Sequence, residues 1–126
     1  MANTHLIIST SNELLRIAAH HIICIKAEGN YSHICQPRNV VKKVTFQLCQ
    51  METMINEQLP DIAYMFVRVG KGLIININYI YHIDLVTKKI ILMDDDYYQY
   101  DDNVSRDALK SLKDQIDNRE ELKKCL

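Results

Sequence analysis

The chain lacks the features that mark several large classes of protein. None of its apolar runs approaches the roughly 20 residues needed to span a bilayer. Met1-Ala2-Asn3-Thr4-His5 has neither the basic start nor the apolar core of a signal peptide. A cytoplasmic protein outside the membrane is expected. Cysteine is unpatterned: Cys24, Cys35, Cys49 and Cys125 contain no Cys-x-x-Cys spacing. Reduced thiols are therefore expected rather than a disulfide framework or a zinc site. The histidines (His5, His20, His21, His33 and His82) likewise form no metal-ligand pattern, and no metal or cofactor is expected.

A strong excess of positive charge is also missing, since the net charge is −1. Taken whole, this counts against nucleic-acid binding. Divided, it looks different: residues 1–93 carry nine Lys/Arg and six Asp/Glu, a balance of +3. Residues 94–126 carry six and ten, a balance of −4, much of it from Asp94-Asp95-Asp96 and Asp101-Asp102. A local basic face supplies the field that matters for DNA, so the total does not exclude it.

What is present is an ordinary globular composition, 48% hydrophobic and 25% charged, in 126 residues. This suits one domain, 1–126, with a real core. Phe66-Val67-Arg68-Val69-Gly70-Lys71-Gly72-Leu73-Ile74-Ile75-Asn76-Ile77-Asn78-Tyr79-Ile80 reads as two strands around a Gly70-Lys71-Gly72 loop. After the loop, Leu73, Ile75, Ile77 and Tyr79 alternate with Ile74, Asn76 and Asn78, which predicts a strand over 73–80 with one face buried. The loop offers one cation between two glycines, the arrangement of a plain hairpin turn or of a close approach to a ligand.

The remaining segments are short and β-like. Leu6-Ile7-Ile8 and Leu14-Leu15-Arg16-Ile17 flank the polar turn Ser9–Asn12, and His21–Ala27 reads as a central buried strand. Glu28-Gly29-Asn30 then signals a hairpin into Tyr31–Cys35, and Gln36–Asn39 turns the chain into Val40–Val44. Later strands are expected at 65–69, 82–86, 89–93 and 97–100, with a tight turn at Thr87-Lys88.

Two segments change period. Leu48, Met51, Ile55 and Leu59 predict a helix near 46–58, with Thr45 as N-cap and Pro60 as terminator. Leu109, Leu112 and Ile116 predict a second near 105–118, capped by Ser105 and continuing as a charged extension toward Leu122. Arg106 opens that helix, where a cation meets the positive end of the dipole at a cost of roughly 0.3–1 kcal/mol. It is either tolerated in solvent or aimed at something negative; a helix start also suits a phosphate.

The best catalytic constellation is weak. His33 and Cys35 share a strand face, but the sequence offers no orienting acid or oxyanion site beside them, so no enzyme is expected.

Three stretches together resemble a known family. Ile22–Ser32 is similar to the D-I-x-Y-I-E-A-x-x-N-Y-T signature of the LytTR (LytR/AlgR-type) DNA-binding domain. Phe66–Asn76 resembles its F-x-R-x-H-R-S-x-I-V-N signature, followed by Ile80, and Val104-Ser105-Arg106 its V-S-R. The resemblance runs from about residue 6 to residue 115. It implies a mainly β fold: an elongated arrangement of small antiparallel sheets with one short amphipathic helix and a C-terminal helix.

It further implies sequence-specific binding of double-stranded promoter DNA, with loops inserted into successive major grooves. A homodimer on repeated half-sites, and a regulatory protein partner, go with that role. Position by position, the DNA contacts would fall on Asn30, Ser32 and His33, on Lys71, and on Arg106. Lys and Arg can donate to guanine O6 and N7 or to phosphate, and Ser and Asn to base edges or backbone. Several positions depart from the signature: Gly70 and Gly72 replace its His and Ser, His21 its leading Asp, and Asp107 follows Arg106. Each lowers the expected affinity. With nothing of domain size before Leu6, a stand-alone regulator is expected. The alternative is a protein-interaction module with weak or lost DNA binding, docking through the acidic, tyrosine-rich stretch 94–102 and the C-terminal helix.

Overall fold

The structure, a computed structural model, describes residues 4–94 and 99–119, with the backbone alone for 99–103. A hairpin of β1 (His5–Ser9) and β2 (Leu14–Ala18) leads into β3 (Cys24–Glu28), β4 (Tyr31–Gln36) and β5 (Val40–Val44). Helix α1 (Leu48–Gln58) follows, then β6 (Phe66–Val69), β7 (Leu73–Asn76), β8 (Ile80–Asp84), β9 (Lys89–Met93), β10 (Gln99–Asn103) and α2 (Arg106–Asp117). The strands form a two-stranded sheet β1-β2, a five-stranded sheet β5-β4-β3-β7-β6 and a three-stranded sheet β10-β9-β8. Every pairing is antiparallel, so the mainly β, small-sheet expectation holds.

The central strands of the five-stranded sheet are buried on both faces. Successive side chains along a strand point to opposite sides, and here each side meets a different core. Ile25, Ile34 and Ile74 join Leu48, Met51 and Ile55 of α1 and Leu6, Ile8 and Ile17 of the first hairpin. Cys24, Cys35, Leu73 and Ile75 join Leu109, Leu112 and Ile116 of α2 and Ile90 and Leu92 of β9. All four residues of β7 are consequently buried, not one face only as the alternation predicts.

The predicted strand 73–80 is also broken in two. Asn76 is fully buried, and its side chain accepts from the Asn78 N–H (3.0 Å) while donating to the Ile22 carbonyl (3.0 Å). That local bond diverts the backbone into a 3-10 turn at Ile77–Tyr79, which competes with strand pairing. The chain thereby leaves one sheet and enters the next. In the same way β3 starts at Cys24, not His21, because Ala19–His21 forms a 3-10 turn.

Both predicted helices form, each with its apolar stripe buried. The α1 start differs in detail: Gln47, not Thr45, is the N-cap, and Gln50 Oε1 accepts from its N–H at 2.8 Å. Ser105 caps α2 as expected, its hydroxyl accepting from the Ala108 N–H at 3.3 Å. The turn from β8 to β9 runs over 85–88 rather than at Thr87-Lys88, because Asp84 Oδ1 accepts from the N–H groups of Val86 (2.8 Å) and Thr87 (3.2 Å). The predicted strand at 97–100 and the extension beyond Asp117 lie partly outside the described residues. Among the described residues, no helix is long and apolar enough to cross a membrane.

Candidate nucleic-acid interface

One end of the five-stranded sheet carries the turn between β3 and β4. Gly29 there takes φ +61°, a left-handed conformation that a side chain would strain. The exposed Asn30 follows, and its Oδ1 accepts from Gln47 Nε2 at 3.1 Å, which ties the turn to the start of α1.

Past the turn, the pleat separates the predicted contacts. Ser32 faces the α1 side and is completely buried, its hydroxyl donating to the Phe46 carbonyl at 2.7 Å. The expectation that it touches DNA is therefore corrected: a side chain this deep cannot reach a base while the sheet is intact. His33 lies on the other face, opposite Lys26 in the β3–β4 register, with Nε2 against the Glu28 carboxylate. Sequence spacing gave no sign of that acid; the register of the hairpin supplies it. Cys35, two residues on, is buried in the α2-side core.

The β6–β7 loop is held from both sides. The Ala27 N–H donates to the Gly72 carbonyl at 2.9 Å, extending the β3–β7 pairing. Arg68 Nη2 donates to the Lys71 carbonyl at 2.9 Å, while its Nη1 meets Glu52 Oε1 at 3.5 Å. Gly70 takes φ +63°, and a Cβ built on it would lie 3.9 Å from the Ala108 Cβ. The loop thus sits beside the first turn of α2, with its backbone fixed and the Lys71 side chain exposed.

These pieces meet at shared concavities. One of about 410 Å³ is lined by Lys26, Lys71, Gly72 and Ser105 among others, directly before the exposed Arg106. A neighbouring one of about 460 Å³ is lined by Lys26, Glu28, His33 and Cys35. Lys26 belongs to both. The fold therefore groups Lys71, the start of α2 and, through Lys26, His33; it turns Asn30 toward α1 and buries Ser32. Among the described residues, neither Lys71 nor Arg106 is held by a carboxylate. Lys26 is inconspicuous in the sequence because it lies inside a nearly continuous apolar run that reads as a central buried strand. Its phase with Cys24 and Glu28, opposite to Ile25, was the available signal.

The sequence profile described as the LytTr DNA-binding domain matches residues 12–117. The chain belongs to the LytTr DNA-binding domain family. Among solved structures it is similar to the LytTr DNA-binding domain of a Bacillus cereus protein described as a methyl-accepting/DNA response regulator. That likeness has a TM-score of 0.61 at 14% identity over 88% of this chain and 94% of the other, and it speaks to the fold. No match is found among curated proteins. As a LytTr domain the chain is a DNA-binding module, and its partner is double-stranded DNA.

Proposed function

We propose that this LytTr domain is a transcriptional regulator acting in the cytoplasm on promoter DNA. The Gly70–Gly72 loop, the start of α2 and the β3–β4 end of the sheet enter successive major grooves. Arg106 and Lys71 donate to guanine O6 and N7 or to phosphates, with Asn30 and His33 at the margin of the contact. The observation that carries this reading is the shared concavity of Lys26, Lys71 and Ser105, two cations and a helix start from three separate segments. A pair of chains on repeated half-sites, and a regulatory protein partner, complete the proposal. The description of the Bacillus cereus neighbour as a response regulator accords with a signalling role.

The test is a fluorescence-anisotropy titration of duplex DNA from upstream of the protein's own gene, at several salt concentrations. Neutralising about three to five phosphates gives a slope of log K against log salt of roughly −3 to −5. A flat salt dependence, or no binding at low salt, would instead favour the interaction-module reading, which draws support from the −4 balance of residues 94–126.

A further inference from the structure

Lys26 occupies a position that the charge balance of the chain does not single out. It is the middle of a cross-strand row, with His33 opposite it on β4 and Leu73 opposite it on β7. One residue further on, Ala27 fastens the Gly72 carbonyl, so Lys26 is held at a fixed offset from the Lys71 loop. Its side chain is half-buried, and it lines the concavity that leads to Ser105 as well as the one that leads to His33. A lysine that is already half-buried gives up less freedom on meeting a phosphate than a fully exposed one.

We propose that Lys26 is a further DNA-contacting residue of this chain, donating to a backbone phosphate between the Lys71 loop and His33. The contact belongs to this sequence. The signature resembled by Ile22–Ser32 has Glu at the corresponding place, so the charge there is reversed in this chain. The exchange of acid for cation stands beside a loop in which Gly70 and Gly72 offer no hydrogen-bonding side chains. The lost donors and the gained cation lie around the same concavity. Binding strength is thereby moved from the loop side chains to the strand. The inference rests on the DNA-binding reading, and the experiment separates the two.

Wild type, Lys26→Met, Lys26→Arg, Lys26→Glu and Lys71→Ala are titrated against two probes. One is the upstream duplex of the protein's own gene and the other a random-sequence duplex of equal length. Lys26→Met keeps the stem and removes the charge; it should weaken binding to both probes several-fold and make the salt slope shallower by about 1. Lys26→Arg should retain binding, and Lys26→Glu should lose more than Lys26→Met. Melting temperatures are measured on every variant, so that a loss of folding is separated from a loss of binding. If Lys26→Met matches wild type in affinity and slope while Lys71→Ala weakens both, the Lys26 contact is wrong and DNA binding stands. If wild type binds neither probe at low salt, both fall.

Discussion

Ser32 and His33 are neighbours in the chain and lie on opposite faces of the five-stranded sheet. The Ser32 hydroxyl is sealed beneath α1 on the Phe46 carbonyl, and the His33 ring stands beside Lys26 on the α2 side. Two neighbours that the family resemblance assigns together to DNA thus stand in different surroundings. Ser32→Ala removes the donor from a part-buried carbonyl, at a cost of about 1–2 kcal/mol. Its melting temperature should fall, while DNA affinity measured well below the melt should match wild type. A selective loss of binding without loss of stability would contradict this assignment.

Arg106 and Lys71 should behave in the opposite way. Arg106 opens α2, where its charge opposes the dipole, so Arg106→Ala should not lower the melting temperature. It should weaken DNA binding by about 1–3 kcal/mol, and Lys71→Ala by a similar amount. Melting and anisotropy on the same purified variants decide the matter, and unchanged binding in both would remove the proposed face.

Gly72 gives a gain-of-function test. Unlike Gly70 it has no positive φ, and a Cβ built on it meets nothing within 4 Å. Gly72→Ser should therefore fold normally and place a hydroxyl at the loop beside Lys71. Tighter binding to the upstream duplex, by roughly the 0.5–1.5 kcal/mol of one hydrogen bond, is the expected result. Gly70→Ser is the contrasting variant, because φ +63° strains any side chain there, and it should lower the melting temperature.

Asn76 holds the point where the chain changes sheets. Asn76→Ala strips partners from the Ile22 carbonyl and the Asn78 N–H together, a loss of roughly 2–4 kcal/mol. Asn78→Ala, by contrast, removes an exposed side chain and should stay within about 0.5 kcal/mol of wild type. Equal effects from the two asparagines, in a urea melt, would argue against this account of the break.

His21 sits at the far end of the sheet, in a concavity of about 440 Å³ lined also by His20, Arg38, Tyr79 and Asp94. Partial desolvation, then the neighbouring charges of His20, Arg38 and His5, hold its pKa below the usual imidazole value. The unfolded chain therefore binds a proton here more readily than the folded one. Stability from this site is present above the ordinary imidazole pKa and falls as pH drops below it toward the depressed value. An NMR titration should show His21 titrating below the free-imidazole range. Arg38→Gln should move it up only in part, because desolvation is the larger cause. Titration at or above the ordinary value would sink the argument.

Much of this was legible in the sequence because it depends on local chemistry. The period-3.6 stripes at Leu48–Leu59 and Leu109–Ile116, the Ser105 cap and the Gly29-Asn30 hairpin follow from side-chain spacing and backbone preference, and each appears in the fold. The Gly70-Lys71-Gly72 loop was equally visible, as one cation between two residues without side chains. Only the tertiary structure decided which face each strand residue serves. Alternation shows that neighbours point opposite ways, but not that α1 covers one side of the sheet and α2 the other. These two covering layers bury Ser32 beneath α1, turn Asn76 from an expected surface residue into an internal support, and leave Lys26 at the rim between two concavities. Local spacing sets the phase of a strand; what lies above and below it comes from parts of the chain far away in sequence.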